Sequence, residues 1–243
     1  MEKKGISQEA LKLIACMTML ADHIGAVIVL KLYYGNPTPG MLEFYNGLRI
    51  IGRIAFPVYC FLLAEGSFHT GNPRRYCLRL ALWAALSEIP YDLALHEGIS
   101  WQRQSVMVTL LLGFCALEMM KKCPNLWSKL LISTPFALFA EFAQADYGAE
   151  GVLLIVLFSV TREVPNRWLI QFLGMWFLFS PGHGMLLNWL NGIQIATQEW
   201  AVLALIPIAA YSGEKKMSSK LLQWGFYMFY PLHLLVLCGI GRL

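Results

Sequence analysis

Lys12 and His23 stand eleven residues apart, and Asp22 is the one charged residue between them. On a helix eleven residues turn through roughly 1100°, three turns plus about 20°, and climb about 16 Å. The ammonium and the imidazole therefore share a face, one near the start of an apolar run and one deep inside it. An imidazole exchanges protons near neutral pH, and an ammonium is a point charge suited to phosphate. On spacing alone, a snorkelling lysine above a hydrogen-bonded core histidine explains the pair equally well. Asp22 lies about 100° round the helix from His23 and is poorly placed to orient that ring.

Further groups of both signs follow inside apolar stretches. Arg49 and Arg53 are one turn apart, as are Glu65 and His69, and then Arg75 and Arg79. Glu88 and Asp92 flank Pro90, and Tyr230 and His233, three apart, share a face beside Pro231. Pro57, Pro90 and Pro231 each take a hydrogen bond out of a helix and leave acceptors to line a cavity. A charge at the bilayer centre costs about 2.5–3.5 kcal/mol, so such groups are kept where they face a bundle interior or water. Asp22, His23, Arg53, Glu65, Arg79, Glu88, Asp92, Glu118, Glu141 and His233 together point to a central polar cavity. Tyr230 and His233 either complete that cavity or form an aromatic belt at the outer surface. Clustered basic residues at its mouth suit phosphates, through arginine forks and lysine point charges. Loop residues such as Arg74 and Arg75 also serve simply to set topology. There is no His-Glu-x-x-His, Walker loop, Gly-x-Ser-x-Gly or metal cluster. His183, between two glycines beside Pro181, reads as an external turn.

The elements that must hold these groups are transmembrane helices. The chain has 243 residues, 57% hydrophobic and 14% charged, with a mean hydropathy of +0.54. Soluble domains carry about 25% charged residues, and 27.5 kDa offers no interior large enough to hide the excess. The class is all-α, a polytopic bundle of about nine spans in a single domain, 1–243. The spans fall near 11–33, 48–68, 76–95, 105–120, 126–143, 147–161, 168–180, 200–211 and 221–240, and 185–195 offers a half-helix or tenth span. Fourteen of the nineteen Lys and Arg lie at the amino terminus and in the second, fourth, sixth and eighth loops. The other loops hold acids instead, such as Glu43, Glu97, Asp146, Glu150 and Glu199. By the positive-inside rule the amino terminus is cytoplasmic and the carboxyl terminus outside. The first helix carries Asp22 and His23 and no small-residue cleavage site, so it is expected to stay in the mature protein. The six scattered cysteines read as reduced and structural, and a net charge of +4 gives little reason to expect nucleic acid.

Several segments resemble the TraX family. They are Leu11-Lys-Leu-Ile-Ala-Cys-Met-Thr-Met-Leu-Ala-Asp-His-Ile-Gly25, Arg53-Ile-Ala-Phe-Pro57, Ala64-Glu-Gly-Ser-Phe-His-Thr70 and Ser87-Glu-Ile-Pro-Tyr-Asp92. Asp146-Tyr-Gly148 with Gly151, and Phe229-Tyr-Pro-Leu-His233, complete the set. The resemblance covers nearly the whole chain. It implies a multi-pass protein of the bacterial inner membrane that acetylates the amino terminus of pilin. The family is similar to the broader transmembrane acyltransferases, whose first helix carries Arg or Lys, ten residues, and a catalytic His; Lys12 and His23 have that spacing. The same resemblance implies His23 as base and a basic cytoplasmic cluster for coenzyme A. One departure is Arg75-x-x-x-Arg79 where the broader group often has Arg-x-x-Arg.

The resemblance and the residues together lead to an expectation of acetyl transfer from acetyl-CoA. Lys12, Arg75 and Arg79 would hold the donor's phosphates, with Arg53, Glu65 and His69 also on its binding side. The acceptor is a protein, peptide or glycan, pilin-like by resemblance. Glu88, Tyr230 or His233 would orient the base or polarise the carbonyl, and the sequence does not choose among them. The rival from another class is an ion- or proton-coupled transporter using the same polar groups. A non-catalytic scaffold for pilus assembly ranks third, because it leaves the buried charges without a purpose.

Overall fold

Ser7 opens the first helix, its hydroxyl accepting the N–H of Ala10 at 3.3 Å, and α1 runs Gln8–Ile24. In the computed structural model, which describes residues 5–96, 98–100, 102–179, 198–215 and 219–242, a π-helical turn follows at Gly25–Val29. α2 (Leu30–Gly35) then completes a rod of 28 residues. The π turn comes after His23, so the Lys12-to-His23 register expected for a regular helix is kept. Thr38 followed by Pro39 is a cap-and-first-turn signal. Thr38 accepts the N–H of Met41, and α3 (Pro39–Gly52) begins nine residues before the stretch expected from hydropathy. α3 stops at Arg53–Ile54 and α4 resumes at Ala55–His69. Pro57 accounts for the interruption: it has no N–H for the carbonyl of Arg53, and its ring crowds that carbonyl.

The remaining helices are α5 (Pro73–Leu95), α6 (Val106–Met120), α7 (Leu126–Phe142), α8 (Gly148–Val160), α9 (Arg167–Leu178), α10 (Leu205–Ala209) and α11 (Lys220–Gly241). A 3-10 segment, Gln198–Ala204, leads into α10. Among the described residues there are isolated bridges but no strand, so the chain is all-α. Gln8–Gly35, Pro39–His69 and Leu221–Gly241 are long and apolar enough to cross a membrane. Val106–Met120, Gly148–Val160, Arg167–Phe179 and Gln198–Ala209 are apolar but shorter. His183 and the 185–195 stretch lie outside the described residues.

The chain divides into two compact units. The first comprises Met1–Tyr59, Leu93–Glu97 and Met175–Leu243. Here α1 packs on α3 and α11. Lys12 lies by Phe226, His23 by His233, and Val27 and Lys31 by Gly241, so α1 and α11 run parallel. The start of α1 is tied to the end of α10 through backbone bonds: Ile6 N–H donates to Ala210 O at 2.7 Å, and Ser212 N–H to Ile6 O at 2.9 Å.

The second unit comprises Cys60–Asp92 and Gly98–Gly174, and α6, α7 and α8 pack mutually within it. Small side chains let the backbones approach. Gly113 faces Ile155 with no room for a Cβ, and Ala116, Ala137, Ala140, Ala145 and Val152 form a buried cluster. The turn into α8 is left-handed at Tyr147 (φ 65°) and Gly148 (φ 41°). The Glu141 carboxylate occupies the space a Gly148 side chain would need and accepts the N–H of Ala149 at 3.0 Å, capping α8.

Candidate functional site

His23 ends its last turn facing α11, where its Nδ1 lies 2.6 Å from Nε2 of His233. The rings lie nearly in one plane, edge to edge, with 4.9 Å between centroids and 14° between planes. Nδ1 of His233 is in turn 2.6 Å from the carbonyl oxygen of Phe229, one turn back on α11. A carbonyl only accepts, so with both rings neutral the proton order is forced. His233 Nδ1–H donates to Phe229 O, which leaves His233 Nε2 as an acceptor. His23 Nδ1–H then donates to that nitrogen, and the lone pair falls on His23 Nε2. No group among the described residues occupies that atom. The arrangement presents an oriented base, held in one tautomer by a partner 210 positions away.

Tyr230 closes the same corner, with its ring centroid 6.2 Å from that of His23 and 5.9 Å from that of His233. Tyr230 and His233 are 6% and 7% exposed, which places them in the protein interior and not in a surface belt. Asp22 turns away from His23, as its position on the helix requires, and accepts from Arg49 NH1 at 2.6 Å. It reaches α3 because Gly52 has no side chain there: a Cβ at that position would fall on the carboxyl group of Asp22. Asp22 Oδ1 and Arg49 Nε are buried without a protein partner among the described residues. Arg53 sits at the α3–α4 break, and its charge and that of Arg49 act on the His23 ring.

Lys12 is at the other end of the α1 face, 5.4 Å above the Phe226 ring. Cys16 and Met19 lie between it and His23 on that face, and both are buried. The Cys16 thiol and the Tyr59 hydroxyl are 3.1 Å apart. No apolar-run signal pointed to Tyr59 as a partner of this face.

The other expected residues belong to the second unit. Glu65 accepts from Arg162 Nε at 2.8 Å and so holds it, and lies 3.5 Å from His69 Nε2. Arg75 and Arg79 are exposed; the backbone N–H of Arg75 is taken by Asn72 Oδ1, and Arg79 lies 5.2 Å over Tyr76. Glu88 accepts the N–H of Ser105 at 3.1 Å and its hydroxyl at 2.7 Å, anchoring the start of α6. Asp92 accepts the N–H of Ser100 at 2.9 Å. Arg162 was legible only as a topology charge, since its partner Glu65 is 97 positions away. Among the described residues no three His, Cys, Asp or Glu gather as for a metal ion.

A family model described as TraX protein matches residues 7–241, a range that takes in all of these contacts. The chain belongs to the TraX family. A relative, the probable fimbrial assembly protein FimC, serogroup H1, of Dichelobacter nodosus, is 26% identical over 247 residues. The match covers 94% of this chain and 93% of the relative. No solved structure matches. In this TraX-family chain four of the six segments singled out in the sequence coincide with a structural event. The first carries His23, the second is the α3–α4 break, and the turn at Asp146–Gly148 starts α8. The last holds His233 and the carbonyl that fixes its proton.

Proposed function

We propose that this TraX-family protein is an integral-membrane acetyltransferase with His23 Nε2 as its general base. What carries the reading is the chain from Phe229 O through His233 to His23, which leaves one unprotonated nitrogen fixed in direction. Bound acetyl-CoA would supply the thioester whose acyl group is transferred. His23 takes the proton from an attacking amine or hydroxyl and returns one to the departing thiol. The imidazolium formed between these steps shares its charge with His233 and the Phe229 carbonyl. Tyr230 limits the ring's freedom from the side.

Lys12 and His23 suit the two ends of the donor. Their separation of about 16 Å is that of an extended pantetheine arm, which would run beside Cys16 and Met19. Met19, with three rotatable bonds, is the side chain able to make way. The acceptor is proposed as a pilin-like protein, or another envelope peptide or glycan; the fimbrial assembly name of the relative favours a pilus subunit.

The same reading has the protein in the bacterial inner membrane with nine spans and the amino terminus in the cytoplasm. The parallel course of α1 and α11 supports an odd number of crossings, because an even number would make the first and last spans antiparallel.

The test uses purified protein with isotope-labelled acetyl-CoA, and mass spectrometry of envelope molecules from cells with and without the protein. His23→Ala should lower transfer by at least about a hundred-fold with folding intact. Near-normal acetylation by that variant removes His23 from the mechanism.

A further inference from the structure

The second unit holds a cavity that the reaction does not use. It has a volume of about 250 Å³ and is lined by Ser67, Phe68, Lys121, Lys129, Ser159 and Arg162, with apolar neighbours. It lies where the ends of α4, α6 and α8 meet the start of α7, on the side where the loops carry Lys and Arg. Sites for drug-sized molecules run to about 300–1,000 Å³, so this cavity suits a single polar group.

Its cations are held from behind. Arg162 is gripped by Glu65 and lies 3.7 Å over the Phe68 ring, and Lys121 donates to Glu118 at 2.5 Å and to Ser67 O at 2.8 Å. Neither Glu65 nor Glu118 lines the cavity. Glu163 does, but its side chain is 80% exposed and only 3.4 Å from Arg162. An ammonium has three donors and a guanidinium five. After these contacts one remains on Lys121 and two on Arg162. Lys129, half-buried, forms no ion pair among the described residues and keeps all three. A half-buried ammonium with no counter-charge on a concave wall calls for an anion with several acceptor oxygens.

We propose that this cavity is a phosphate-binding site, seating a phosphoryl group between Lys121, Lys129 and Arg162. The group is carried either by an anionic phospholipid, as basic pockets between membrane helices accept, or by a soluble phosphate ester. The site is independent of acetyl transfer.

The experiment reads binding alone, on the full-length protein in detergent. Native mass spectrometry compares retention of phosphatidylglycerol with phosphatidylcholine, and thermal unfolding is followed with inorganic pyrophosphate. Selective phosphatidylglycerol retention with no response to pyrophosphate identifies the lipid source; stabilisation by pyrophosphate without lipid selectivity identifies the soluble one. In either case Lys129→Gln should weaken binding about five-fold, near the worth of one basic charge at a membrane surface. Lys129→Arg should retain it, and Lys122→Gln, which is outside the lining, should leave it unchanged. His23→Ala should bind as the wild type does, so loss of transfer and loss of this site are distinguishable. The proposal is overturned if neither probe binds selectively, if Lys129→Gln binds normally, or if Lys122→Gln weakens binding equally.

Discussion

In the proposed mechanism His233 acts on His23 without being the base, and substitutions separate that role from packing. His233→Leu fills similar space but lets the His23 ring choose either tautomer. His233→Asn offers a side-chain oxygen that still accepts from Nδ1–H. Loss of the group that fixes a catalytic histidine's tautomer has cost up to about 10⁴ in turnover in a well-studied triad. We expect His233→Leu to lower kcat by ten-fold or more with KM little changed, and His233→Asn to recover part of it. Equal loss in both, or a change in KM alone, would mean that the ring is merely packed. At this scale the sequence was half legible. His23 stood out because an imidazole in an apolar helix is costly, and its register with Lys12 follows from helix geometry. His233 was one of three candidates to orient it, and the choice was not legible, because periodicity reports neighbours three or four residues away, whereas His233 is brought in by helix packing 210 positions along the chain. Tyr59 against Cys16 and Arg162 against Glu65 were hidden for the same reason.

The contact of α1 with α3 depends on one missing side chain. Gly52 leaves the room in which Asp22 meets Arg49, and both charged side chains are little exposed, at 15% and 17%. Gly52→Ala forces the helices apart or turns Asp22 aside, an overpacking cost of about 1–3 kcal/mol. Breaking the ion pair alone is worse: Arg49→Met should cost about 3–5 kcal/mol, because it leaves a buried carboxylate unpaired. Asp22→Asn combined with Arg49→Met should be milder than Arg49→Met by itself. Thermal unfolding in detergent checks the order, and a double variant no better than the single one would show that the pair contributes little. Helices were legible throughout from apolar length, and Thr38–Pro39 spelled a start that a hydropathy count passes over. The α3–α4 break followed from Pro57. The π turn at Gly25–Val29 did not, since one extra residue in a helical turn leaves no pattern in composition.

Across the whole chain, the regular alternation of basic and acidic loops supplied a topology, and the parallel first and last spans agree with it in parity. Reporter fusions test this directly. Alkaline phosphatase joined at the carboxyl terminus should be active, and the same enzyme in the Lys121–Lys122 loop inactive; activity at both would break the nine-span arrangement. The division into two units was not legible, because three of its four boundaries pass through α4, α5 and α9, where no change in composition marks them. The distance in sequence between the two imidazoles also has a consequence during synthesis. At about 5–20 residues per second, His23 is made some 10–40 s before its partner emerges. A polypeptide halted anywhere before residue 233 can insert its early spans yet lacks the ring that orients the base. Under the proposed mechanism activity therefore waits on nearly complete translation, and prematurely terminated products should be inert.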